Sequence, residues 1–147
     1  MSSEQKDTNP KDLCGSNKVP FSTLSGHVLA EMGSAMYEGA LKYGRFNWRV
    51  KKVLASVYFD ATQRHLQSWW EGEDIDLESG YNHITKSMTS LHVLLDAILL
   101  DLLIDDRPPR ATNKQSPFMN EYNLKIVELK KKYPNPVPPF TQIPIPL

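Results

Sequence analysis

Between residues 24 and 43, Val28, Met32, Ala35, Met36 and Ala40 recur at helical spacing, with Glu31, Glu38 and Lys42 on the other face. Gly44 stands where a C-terminal cap belongs, and the pattern predicts an amphipathic helix. A second helix is predicted over about 53–71 and ends at Gly72. Leu54, Tyr58, Ala61, His65 and Trp69 share one of its faces, while Asp60 and Arg64 stand one turn apart on another. The third, about 81–104, sets Ile84, Met88, Leu91, Leu95, Ile98 and Leu102 at alternating spacings of 4 and 3, the seam of a helical bundle. Past Leu94, Leu99, Leu100 and Leu103 lie off that seam and make the helix apolar nearly all round. One layer of three helices cannot cover every side of it, so a second subunit is expected to.

The ends have a different texture. Residues 1–20 are polar and predict a flexible arm. After "DDRPPR" stops the third helix, residues 118–132 alternate Leu124, Val127 and Leu129 with Lys125, Glu128 and Lys130 to Lys132, a short amphipathic helix. The tail "YPNPVPPFTQIPIPL" carries six prolines in fifteen residues and predicts an extended strap. The expected fold is all-α: an oligomeric bundle of about three to four helices, with an arm at 1–20, a helical core at 21–109 and a linker, short helix and Pro-rich tail at 110–147.

Composition narrows the function classes. A chain of 147 residues, 40% apolar, can bury one core. Lys plus Arg equals Asp plus Glu at 17 each, so no net field argues for a nucleic acid polymer or an anionic membrane. The single cysteine, Cys14, excludes an internal disulfide and a cysteine-cluster zinc site. "MSSEQKDTNPKD" lacks the apolar core of a signal peptide, and "LHVLLDAILLDLLI", broken by Asp96 and Asp101, is too short to span a bilayer. The expectation is a cytoplasmic protein.

Local chemistry concentrates in two places. From Glu71 to Glu78 there are five carboxylates in eight residues, flanked by His65 and His83. Glu71, Glu73 and Asp74 crowd the negative end of the second helix, at an unfavourable about 0.3–1 kcal/mol each, and "DLESG" forces a tight reversal. Clustered carboxylates either raise their pKa values or share a cation, and Asp, Glu and His around one point suit a divalent ion. A solvated acidic turn is the alternative. His65 reads equally as a core histidine, His92 with Asp96 as a ligand pair or an intersubunit hydrogen bond, and Trp69 with Trp70 as packing. In "ALKYGRFNWR", Lys42, Arg45 and Arg49 surround Tyr43, Phe46, Asn47 and Trp48: cations for phosphate beside rings for a base, or a loop pinned by an aromatic plug.

"GALKYGRFNWR" followed by "DATQRHLQSWWEGEDIDLESGYNHI" resembles the phage dATP/dGTP diphosphohydrolase N-terminal domain family, from about Lys11 to Pro109. In function that family is grouped with the all-α MazG-like pyrophosphohydrolases, which cut a nucleoside triphosphate to monophosphate and pyrophosphate with magnesium. The resemblance implies a hydrolase of purine deoxynucleotides in the host cytoplasm, with Mg2+ or Mn2+ on Glu73, Asp76 and Glu78. It implies substrate contacts from Lys42, Tyr43, Asn47, Trp48 and Arg64, and catalytic roles for His65, Glu73 and His83. The MazG ExxE preceding an ExxD is absent as such: Glu71 to Asp74 and Glu73 to Asp76 each read ExxD, with no ExxE before them. Two further readings therefore stand beside the hydrolase: a non-catalytic protein that sequesters a signalling nucleotide, and a structural oligomer whose acidic hinge binds a neighbouring subunit.

Overall fold

The computed structural model describes residues 9–110 and 115–142, and no described helix is long and apolar enough to cross a membrane. The chain divides into two compact units between Asn47 and Trp48.

In the first unit, where the sequence predicts an irregular arm, Pro10–Gly15 forms a short helix (α1). Asn9 caps it by accepting the Lys11 N–H at 3.0 Å, and Pro10 supplies a preset φ at the first position. The remainder of the predicted arm before Asn9 lies outside the described residues. A 3₁₀ turn, Phe21–Thr23, precedes the long helix α2, Gly26–Tyr43. Ser25 caps α2, and Gly44 closes it as expected, its N–H bonding the Ala40 carbonyl at 2.9 Å. Ala35 is buried and Met32, Met36 and Ala40 are half-buried around it, as the spacing predicts, whereas Val28 at the start of the predicted stripe is exposed and Glu31 and Glu38 are half-buried.

The second unit is built on a helical hairpin. The short helix α3 (Asn47–Lys51) and strand β1 (Val53–Leu54) lead into α4 (Ala55–Trp70), which packs on α5 (His83–Leu99). The facing positions are small: Ala55, Thr62, Ser87, Val93 and Ala97 are buried, Ala97 completely. Ser87 Oγ donates to the Thr62 carbonyl at 3.3 Å, and Thr62 Oγ1 donates back to Tyr58 O at 2.8 Å, so the hydroxyls on this face are satisfied locally.

Both hairpin helices end in the same way. In α4, Gly72 (φ 99°) bonds Trp69 O and Glu73 N–H bonds Ser68 O, each at 3.0 Å. In α5, Asp101 (φ 56°) bonds Ile98 O at 3.2 Å and Leu102 N–H bonds Ala97 O at 2.8 Å. These are Schellman caps, the second with aspartate where glycine is usual. That cap explains why α5 stops at Leu99 rather than running on to about 104. Leu103–Ile104 instead forms strand β2, parallel to β1 with Val53 opposite Leu103 and Leu54 opposite Ile104. Just beyond, the Asp106 carboxylate caps α4 from a distance, accepting the Ser56 N–H at 2.8 Å and the Ser56 hydroxyl.

The predicted α5 seam is only partly covered: Ile84, Met88 and Leu102 are half-buried, whereas Leu91, Leu95 and Ile98 are 48%, 55% and 51% exposed, and the buried positions of α5 are His83, Thr85, Ser87, Val93 and Ala97. Helix α6 (Gln115–Lys132) extends the predicted 118–132 segment at its start, and its Leu124, Val127 and Leu129 are also exposed. Residues 133–142 contain no helix or strand, and the final part of the predicted strap lies outside the described residues.

A polar clamp ties α3 to α5. Trp48, 7% exposed, donates its indole N–H to Asp96 Oδ2 at 2.7 Å, and Arg49 binds both carboxylate oxygens at 2.9 and 3.0 Å. The hydrogen bonds from Arg49, then from Trp48, hold the Asp96 carboxyl down at about 2. Asp96 is therefore committed to Trp48 and Arg49 rather than to a site shared with His92, which is exposed. Trp48→Phe removes the indole donor together with the pyrrole half of the ring; the hydrogen-bond part of the loss should be about 1.5–3 kcal/mol at neutral pH, the range for a bond to a charged group, and only that part depends on pH. Because the folded pKa is depressed, the clamp's contribution is complete above the unfolded aspartate value of about 3.9 and is lost as pH falls toward about 2. Denaturant melts of both proteins at descending pH should show the difference shrinking through that window.

Candidate functional site

The acidic stretch is the hinge between α4 and α5, and its own main chain holds it. After the Schellman cap on α4, Ile75 and Asn82 form an antiparallel bridge. Asp76 N–H bonds Tyr81 O at 2.8 Å, and Gly80 N–H bonds Asp76 O at 2.7 Å. Gly80 has φ 74°, a conformation that other residues adopt only with strain, which explains the glycine of "DLESG". Asn82 then caps α5 by accepting the Ile84 N–H at 2.8 Å, and His83 N–H bonds Asp74 O at 2.9 Å.

Each carboxylate with a visible partner has a different one. Glu71 accepts from Gln67 at 2.8 Å, one turn back on α4. Asp76 Oδ2 accepts from the Ser79 hydroxyl at 2.5 Å and from the Ser79 N–H at 3.3 Å. The hydroxyl bond above all keeps the Asp76 carboxyl below the usual range. Glu73 faces His83, with Oε2 3.3 Å from Nε2, and Glu78 is exposed.

His83 is 4% exposed, and its ring bridges two neighbours. Its Nδ1 lies 2.8 Å from Nδ1 of His65, a hydrogen bond in which one ring must donate. Its Nε2 lies within ion-pairing distance of Glu73 but off the direction a hydrogen bond needs, and it has no hydrogen-bond partner among the described residues. His65, half-buried on α4, is pushed below the ordinary histidine value, first by burial and then by His83, with Lys86 and Arg64 adding to the effect and Asp76 opposing it.

The structure thus brings together His65, Glu73 and His83. Arg64 is exposed on α4 beside them. Asp76 turns onto Ser79, and among the described residues no group of three or more His, Cys, Asp or Glu side chains is arranged to hold a metal ion. Glu73, Asp76 and Glu78 therefore do not converge as a ready ligand set. Lys42, Tyr43 and Asn47 belong to the first unit: Lys42 is paired with Glu38 at 2.7 Å, and Tyr43 is 71% exposed. Trp48, inside the second unit, offers no free ring face for stacking a base. Lys86 was not singled out from the sequence. Its signal is its position one turn after His83 on α5, within electrostatic reach of His65.

Comparison with known proteins found no match among curated proteins and none among solved structures. A family profile described as dATP/dGTP diphosphohydrolase, N-terminal, matches residues 8–107, which include α2, the whole helical hairpin and its acidic hinge. With more than half of its length matched, the chain belongs to the dATP/dGTP diphosphohydrolase N-terminal family.

Proposed function

We propose that the protein hydrolyses the purine deoxynucleoside triphosphates dATP and dGTP to the monophosphate and pyrophosphate. Family membership carries this reading. The meeting of His65, Glu73 and His83 at a braced hinge supports it as the place of chemistry. In the reaction, a water oxygen bonds the α-phosphorus while the bond to the bridging oxygen breaks. Pyrophosphate leaves with that electron pair, and the water's protons pass to the hinge side chains or to solvent. Arg64 and Lys86, the cations whose fields reach His65, would counter phosphate charge. A divalent ion, Mg2+ or Mn2+, is the expected companion and when bound screens the phosphates. Glu73, Asp76 and Glu78 do not act as a set, because they do not converge.

Incubation with deoxy- and ribonucleoside triphosphates plus Mg2+ should yield pyrophosphate and monophosphate in equal amounts from dATP and dGTP. Glu73→Gln, which removes a charge from the place of chemistry, should lower the rate by about 100-fold or more. Recovery of intact nucleotide in a stoichiometric complex would overturn hydrolysis in favour of capture.

The protein also assembles with itself in this reading: Leu95 and Leu99, 55% and 74% exposed one turn apart on α5, form the centre of an apolar face for a second copy. Leu95→Asp with Leu99→Asp should leave helical circular dichroism intact while light scattering falls to the monomer mass. A wild-type monomer at micromolar concentration would remove this part of the proposal.

A further inference from the structure

We propose that Glu73 and His83 form a binding site for a divalent transition-metal ion, with Glu73 Oε2 and His83 Nε2 as its two protein ligands. The first observation is the unsatisfied nitrogen: His83 is 4% exposed, and its Nε2 has no hydrogen-bond partner among the described residues. An N–H left this way forgoes its hydrogen bond, and a lone pair left this way lies 3.3 Å from the negative Glu73 oxygen. A cation between the two atoms removes both penalties at once.

The second observation is the spacing. Oε2 and Nε2 stand 3.3 Å apart, and an ion bound at about 2.1 Å from each, a normal length for such ligands, sees them at roughly 100°, between tetrahedral and octahedral angles. The third is the far side of the ring. A metal-bound histidine ordinarily donates its other N–H to a fixed acceptor, and His65 Nδ1 lies 2.8 Å from His83 Nδ1 in position to accept it. Both ligand-bearing residues are also pinned through their backbones: Glu73 N–H bonds Ser68 O at 3.0 Å, and His83 N–H bonds Asp74 O at 2.9 Å.

Imidazole nitrogen with one carboxylate selects against magnesium, which prefers oxygen throughout, and for the series from manganese to zinc. Two protein ligands leave the other positions to water or to phosphate oxygens. That last link rests on the hydrolase reading, whereas the cation site stands on geometry alone.

The test uses the full chain, stripped with chelator and free of nucleotide. Mn2+ titrated in and followed by electron paramagnetic resonance should bind at one ion per chain, with Mg2+ competing at least about tenfold less well. Glu73→Gln and His83→Gln should each weaken Mn2+ by about 10–100-fold. Glu73 is half exposed, so its variant keeps the test valid if the His83 variant fails to fold. Glu71→Gln, which alters a carboxylate engaged by Gln67, should leave binding unchanged. Nitrogen-15 spectra should place the His83 proton on Nδ1 and shift Nε2 when Zn2+ is added. A proton found on Nε2 that neither ion displaces, or Mn2+ binding indifferent to Glu73→Gln, overturns the site. Mn2+ binding in a protein that turns over no nucleotide overturns the hydrolase instead and leaves the cation site standing.

Discussion

The contact between α4 and α5 is the constraint on which the rest of the second unit depends. It is made by alanine, threonine, serine and valine, with Ala97 fully enclosed and Ser87 bonded to the Thr62 main chain. Leu91, Leu95, Ile98 and Leu99 of α5 stay exposed beside it. His65 and His83 sit on this same face, and their 2.8 Å contact exists only because the helices meet there. The hinge carboxylates then fall beside a histidine whose position they did not determine.

Several large apolar residues of α5 are left exposed among the described residues. Leu91, Leu95, Ile98 and Leu99 line an exposed face of α5, with apolar surface each would bury at about 25 cal/mol per Å² against a neighbour. Asp106 on the Ser56 N–H, and Trp48 with Arg49 on Asp96, brace the hairpin instead through polar contacts between residues roughly 50 apart in sequence. The hairpin is thus braced by directional bonds between distant segments as well as by buried side chains.

Most elements were legible because periodicity and caps are local. The α2 stripe and its Gly44 cap, the end of α4 at Gly72 and the existence of α6 follow from neighbours within a turn or two. The end of α5 was missed because its cap uses Asp101 at φ 56°, where only glycine or asparagine would have signalled a stop. The two-residue strands were missed for another reason: Val53 meets Leu103 across fifty positions, and no pattern of period 2 develops in so short a piece.

By itself, the sequence determined a helical chain, the ends of α2 and α4 at Gly44 and Gly72, a family, and a hinge dense in carboxylates between two histidines. It could not determine which side of α5 is buried past Leu94, where the helix is apolar nearly all round and no side is preferred by pattern alone. Nor could it say how five carboxylates divide their partners. Asp76 turns to Ser79, Glu71 to Gln67 and Glu73 to His83. Those assignments depend on distances of a few ångströms between side chains on different elements, which only the folded backbone sets.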